Sequence, residues 1–266
     1  MMKLFMRPAI TCFSAAPFLC ACLATSTAAL AVDAQSILKR TDEIRNPQKP
    51  FSISISLHEF KDGNKSDETT LAVYSKQEEK SGQYLNLVQY VLPARDKGKL
   101  LLKNGNDMWF YDAGSKASIR ISPQQRLLGQ ASNGDVVSVN LAKDYSAKIE
   151  ADEEIKDGDQ KPRKSSKLAL KATSADVTYN SIELWVDAES DAPIKAKFYS
   201  ESGTLLKTAY YRKYENQIGE NRPTETVIID GLNPKWVTIM RYKDYQIKDI
   251  EDSWFQRDYL PRFKGE

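Results

Sequence analysis

FSISISL, residues 51–57, decides the fold class. Phe51, Ile53, Ile55 and Leu57 alternate with Ser52, Ser54 and Ser56. Apolar and polar side chains at period two put one row on a dry face and the other on a wet one, as a half-buried β-strand requires. The rhythm continues downstream. Segments 71–74 and 84–92 follow the turn signals Asp62-Gly63 and Ser81-Gly82. Segments 99–102, 108–111 and 119–121 come next, divided by Asn104-Gly105 and Ala113-Gly114-Ser115. Such short turns predict antiparallel hairpins. Further strands are expected at 145–149, 168–172, 182–186, 194–199, 205–211, 224–229 and 236–242, with Asp157-Gly158, Ser202-Gly203 and Asp230-Gly231 among their turns. About a dozen short strands point to a mainly β sandwich or barrel. The lack of βαβ alternation speaks against a parallel α/β sheet.

Upstream, the period changes. Ala34, Ile37, Leu38, Thr41 and Ile44 fall at helical spacing, Asp33 can cap the start, and Pro47 ends the segment. Two downstream stretches also break the strand pattern. Residues 123–140 hold Leu127, Leu128, Gly129, Gly134 and an apolar run at 136–139, and read as one or two short helices or a flap. Residues 152–166 are densely charged and read as an exposed loop.

The first thirty residues differ from the rest. Lys3 and Arg7 precede an uncharged stretch from Pro8 that ends in Ala29-Leu30-Ala31. This is the pattern of a secretory leader cut after Ala31, since the peptidase accepts small side chains there. The expected organisation is a signal peptide over 1–31 and a single domain over 32–266. Export to the periplasm follows. Cys12, Cys20 and Cys22 all lie in the leader, so the mature chain has no thiol for a disulfide or zinc site. The alternative is a lipid anchor at Cys22, because Leu19-Cys20-Ala21-Cys22 loosely resembles a lipoprotein cleavage box.

With Lys3 and Arg7 gone from the 38 basic residues, 36 remain against 36 acids. A neutral chain speaks against nucleic-acid binding and a polybasic membrane surface. Catalysis finds little support. His58 is the one histidine, on a strand, and no Gly-x-Ser-x-Gly elbow accompanies it. The acidic groups Asp152, Glu153, Glu154 and Asp249, Glu251, Asp252 read as solvated charge, and a carboxylate hydrolase is the lowest-ranked option. No enzyme activity and no cofactor or metal is expected. The stretch Met108-Trp109-Phe110-Tyr111 is apolar on both strand faces, so one face suits a core and the other a core or a cavity.

Residues 98–145, GKLLLKNGNDMWFYDAGSKASIRISPQQRLLGQASNGDVVSVNLAKDY, carry a family resemblance. With Ile182-Glu183-Leu184-Trp185-Val186-Asp187, Pro193-Ile194-Lys195, Phe198-Tyr199 before Ser202-Gly203, Leu206-Lys207-Thr208-Ala209 and Pro223-Thr224, the chain resembles the LolA-like group of outer-membrane lipoprotein-sorting proteins. It departs from that pattern at 115–118, where more basic residues are expected.

The resemblance implies an incomplete, half-open antiparallel barrel with helices over its concave side. It also implies a monomeric carrier of lipid or lipoprotein acyl chains, served by an inner-membrane transporter and an outer-membrane acceptor. On that basis Met108, Phe110, Ile119, Ile121, Trp236 and Met240 are expected to line an apolar cavity. Ile37, Leu38, Leu127, Leu128 and Val137 are expected in its cover. The alternative is a non-catalytic periplasmic interaction or sensor module, associated with a membrane transporter, whose interior is filled by side chains.

Overall fold

The alternation at residues 51–57 becomes β1 (Phe51–Lys61), in which buried and half-buried side chains take turns. A computed structural model describes residues 1–2 and 33–265. The leader, its cut after Ala31 and the three cysteines fall outside the described residues.

Ahead of β1 runs α1 (Ala34–Arg45), which buries Ile37, Leu38, Thr41 and Ile44 on one face. Asp33 occupies the cap position, but its side chain makes no cap bond; its backbone carbonyl accepts from Ser36 and Ile37 instead. At the other end Arg222 Nη1 donates to the carbonyls of Glu43 (2.8 Å) and Ile44 (2.6 Å). Those are acceptors that the end of a helix leaves without partners.

After β1 come β2 (Asn64–Gln77), β3 (Tyr84–Leu92), β4 (Leu100–Asn104), β5 (Asp107–Asp112) and β6 (Ala117–Arg120), each antiparallel to its predecessor. A small hairpin, β7 (Arg126–Leu128) with β8 (Ala131–Ser132), and a single helical turn, α2 (Leu141–Asp144), follow outside the main sheet. A second meander completes it: β9 (Tyr145–Lys156), β10 (Pro162–Ala172), β11 (Ser181–Asp187), β12 (Pro193–Tyr199), β13 (Leu205–Gln217), β14 (Glu220–Asp230) and β15 (Trp236–Ile247). The two meanders join where β1 pairs with β15, giving one 13-stranded sheet with β6 and β9 at its edges. The sheet is an open antiparallel barrel, as the family resemblance implied.

This topology dictates the position of the cover. The chain leaves the sheet at one edge, β6, and re-enters at the other, β9. Residues 121–144 therefore have to cross the inner face. They do so together with α1, over a core that includes Leu38, Phe51, Ile55, Leu57, Leu71, Val73, Leu101 and Leu168.

The outer face has a second core. Tyr74, Leu87, Leu100, Leu102 and Tyr111 are covered by the C-terminal segment through Ile250, Phe255 and Leu260. Trp254 stacks edge-on with Tyr74 (centroids 5.3 Å apart) and Phe263 (4.9 Å). Met108-Trp109-Phe110-Tyr111 is thus divided: Met108 belongs to the inner core, and Trp109 and Tyr111 to the outer one. The outward pair meets protein rather than a cavity.

The expected exposed loop at 152–166 is instead the far half of a β9–β10 hairpin. Its charges point to solvent on both faces, which hides the period. Cross-strand pairs replace a core there: Lys167 with Glu150 (2.9 Å), Ser166 with Asp152 (2.7 Å), and Arg163 with Asp187 on β11 (2.6 Å). The turn is closed by Asp157, whose carboxylate accepts from the amides of Asp159 and Lys161.

Candidate functional site

The segment crossing the inner face is tied down by polar groups. Asn86, fully buried on β3, acts as a substitute strand partner: its Oδ1 accepts from Ser138 N (2.8 Å) and its Nδ2 donates to Ser138 O (2.9 Å). Ser75 Oγ bonds the same Asn86 (2.7 Å) and lies 3.1 Å from Ser138 Oγ. Gly129 turns the β7–β8 hairpin at φ +54°, where a Cβ would strike Thr238 and Glu59. Only glycine takes that conformation at such close approach without strain. The neighbouring Gln130 N donates to Thr238 Oγ1 (2.8 Å).

Beneath this cover lies a space of about 760 Å³, part of it open to solvent. Only about 80 Å³ of it is cavity proper, room for a few waters, so a larger guest requires the cover to move. Ile182, Leu184, Ala196, Phe198, Ala209, Ile228 and Met240 form its floor, and Val137, Val139 and Leu141 hang from the cover. A second space of about 550 Å³ adjoins it, bounded by Phe51, Ile53, Ile55, Pro223 and Tyr245. Arg45, Asp135, Val137, Tyr211, Thr226 and Tyr242 line both.

Charge is built into these walls. Lys207 points inward from β13 and forms an ion pair with Asp135 of the cover, and also donates to Gln130 O (3.1 Å). Tyr179 Oη donates to the other Asp135 oxygen (2.7 Å). Burial pulls the Lys207 pKa down against the opposing pull of Asp135. It pushes the Tyr179 phenol well up, and Asp135 adds to that. At the end of α1, Arg45 Nη1 donates to Asp42 Oδ1 (3.0 Å), whose second oxygen accepts from Ala142 N (2.8 Å). For Asp42 desolvation outweighs the attraction of Arg45, and its pKa is pushed up to about 6.

The residues expected at the cavity are dispersed. Val137 and Met240 line it. Ile37, Leu38 and Met108 are buried in the inner core, with Ile121, Leu127 and Leu128 partly buried against it. Phe110 stacks edge-on with Tyr90, centroids 6.1 Å apart. Ile119 stands opposite Phe110 but on edge strand β6, where nothing covers it, and is 55% exposed. Trp236 lies at the end of β15 under Lys61, away from both spaces. Sequence reasoning missed Arg45, Lys207, Asp135 and Tyr179. Parity offered one signal: Lys207 alternates with Ala209 and Tyr211 and so must face inward with them.

His58 faces away from the inner core, paired on β1 with Ile239 and Glu68. Its Nε2 is buried without a partner, and burial, then Lys65 and Arg241, lower its pKa. Among the described residues no group of His, Cys, Asp and Glu is arranged to hold a metal ion, and no helix is long and apolar enough to cross a membrane.

A LolA superfamily protein from Nitrosomonas europaea is 35% identical, with a TM-score of 0.77 over 86% of this chain and 100% of its own. The chain belongs to the LolA superfamily. A family model described as an uncharacterized protein matches residues 82–262. Two more distant structures share the LolA fold. One, a domain from Vibrio parahaemolyticus named for outer-membrane lipoprotein sorting, is 18% identical, with a TM-score of 0.72 over 86% of this chain and 98% of its own. The other, a DUF1329 family protein from Desulfovibrio piger, is 18% identical, with a TM-score of 0.72 over 85% and 97%. Comparison with curated proteins gives no match.

Proposed function

We propose that the mature chain is a non-catalytic periplasmic carrier, which takes acyl chains of a lipid or lipoprotein into the space beneath residues 121–144 and moves them from the inner towards the outer membrane. The observation that carries this reading is an apolar-floored space that packing leaves unfilled, roofed by a segment held by polar anchors as well as by apolar packing. Membership of the LolA superfamily supports it, as does the sorting function named for the Vibrio parahaemolyticus relative.

Each methylene withdrawn from water contributes about 0.8 kcal/mol, so a long acyl chain brings ample affinity. Release is the harder requirement. Val137, Val139 and Leu141 project into the space that a chain would fill. Binding must displace them, and their return competes with the ligand. Net affinity is the difference of two apolar burials, and this keeps the cargo transferable.

The test is lipid mass spectrometry on an organic extract of the protein purified from periplasm. A stoichiometric acyl species is expected. Nothing above a control periplasmic protein, even after incubation with membrane lipids, would overturn the carrier reading in favour of a protein-interaction module.

A further inference from the structure

The two spaces beneath the cover differ in character, and Arg45 stands between them. One is floored by Ile182, Leu184, Phe198 and Ile228; the other carries Asn46, Ser138 and Tyr245 among its walls. We propose that Arg45 and Tyr211 form a headgroup site for an oxyanion, so that the cargo is an acyl amphiphile with a carboxylate or phosphate head lying at Arg45 and its chain in the apolar space. This deepens the carrier reading and rests on it.

The argument starts from unused donors. A guanidinium carries five N–H groups. Arg45 makes a single side-chain hydrogen bond among the described residues, from Nη1 to Asp42. Its Nε and Nη2 are not sealed off, and about a fifth (19%) of its side-chain surface stays reachable although it lies deep in the protein. Since Arg45 lines both spaces, that access runs through them. Tyr211 lines the same two spaces, and its hydroxyl likewise has no hydrogen-bond partner among the described residues and is not sealed. Arg45 and Tyr211, close enough to interact electrostatically, thus bring two donors to the same void.

The other charges near the void are committed. Lys207 is held by Asp135, and Asp135 also takes Tyr179 and the amide of Ser132. Tyr242 donates to Thr226 (3.1 Å). Asp144 accepts from Gln83 (2.7 Å). Asp42 divides its two oxygens between Arg45 and the amide of Ala142, so it cannot meet the guanidinium fork side-on. The planar fork matches a carboxylate or phosphate with two parallel bonds, which a hydroxyl head cannot reproduce.

The experiment measures affinities of palmitate, palmitoyl lysophosphatidate and palmityl alcohol for the mature protein by calorimetry. Either anionic ligand is expected to bind about tenfold or more tighter than the alcohol, the size of a charge-assisted hydrogen bond. The tighter of the two identifies carboxylate or phosphate as the head. Arg45→Met should collapse that ratio towards one. Should Asp42, left alone, prevent folding, Asp42→Asn with Arg45→Met removes both charges and gives the same reading. Equal binding of acids and alcohol to the unaltered protein, or a ratio that survives Arg45→Met, overturns the headgroup site while the carrier reading stands. Failure of all three ligands to bind overturns the carrier reading itself.

Discussion

The sheet has two covered faces, and the covers differ in how they are held. On the outer face the C-terminal segment lays Trp254, Phe255, Leu260 and Phe263 onto Tyr74, Leu87 and Leu102, ring against ring. On the inner face residues 121–144 bury Ala131, Val136, Val137 and Leu141, but they are also held by Asn86, Lys207 and Thr238 through hydrogen bonds and an ion pair, over a space that packing leaves unfilled. Apolar packing is non-directional and is lost in proportion to the area exposed, so the outer cover has no inexpensive open state. Polar anchors can be exchanged for water when the cover lifts, which keeps the open state closer in free energy. The difference predicts that the inner cover opens more readily than the outer strap.

The outer strap should show the largest effect. Phe255 is fully buried, and Phe255→Ala is expected to cost about 3–5 kcal/mol of global stability. Denaturant titration measures it. A loss below about 1 kcal/mol would mean that the strap can detach, and the contrast would fail.

That strap was not legible in the sequence. Trp254, Phe255 and Leu260 lie on 3-10 turns and Phe263 directly follows one; such turns have neither the period of two nor that of 3.6 that pattern reading detects. The strands were legible wherever one face is wet, as at Phe51–Lys61. They vanished where both faces are wet, as in the outer half of β9. The cover was visible as a break in the pattern at 123–140. Its anchors were not, because Asn86 and Lys207 look like ordinary wet-face residues until their parity with buried neighbours is followed. Arg45 was hidden for a related reason: a charged residue ending an amphipathic helix reads as solvent-facing, and only tertiary packing puts it inside.

On the inner face, Lys207→Met leaves Asp135 under the cover without its cation and should cost about 3–5 kcal/mol, while Lys207→Met combined with Asp135→Leu should recover most of that loss. The single variant's deficit comes from a stranded charge, so removing both partners is the informative comparison. A double variant as unstable as the single one would show that the pair holds the lid by something other than charge.

Acidity should act next, through Asp42. Its folded pKa of about 6 lies above the ordinary 3.8, so the folded state binds the proton more tightly than the unfolded chain does. The resulting stability is fully present below 3.8 and is lost as pH rises through about 6, amounting to roughly 3 kcal/mol. Denaturation midpoints across that window should carry this contribution, and Asp42→Asn should flatten it. An unchanged slope in the variant would assign the dependence to another group.

The smallest effect separates the two covers most sharply. Ser138→Ala deletes one hydroxyl, 3.1 Å from Ser75 Oγ, and keeps both backbone bonds to Asn86. The global cost should be only about 1 kcal/mol. Local opening responds differently. If residues 121–144 lift as a unit, every amide in that segment should exchange faster by a common factor of about fivefold, the equivalent of that 1 kcal/mol. The strap around Phe255 should show a smaller change, limited to what global unfolding contributes. Equal acceleration in both segments would mean that lid and strap open only when the whole sheet does, and the inner face would then have no lid of its own.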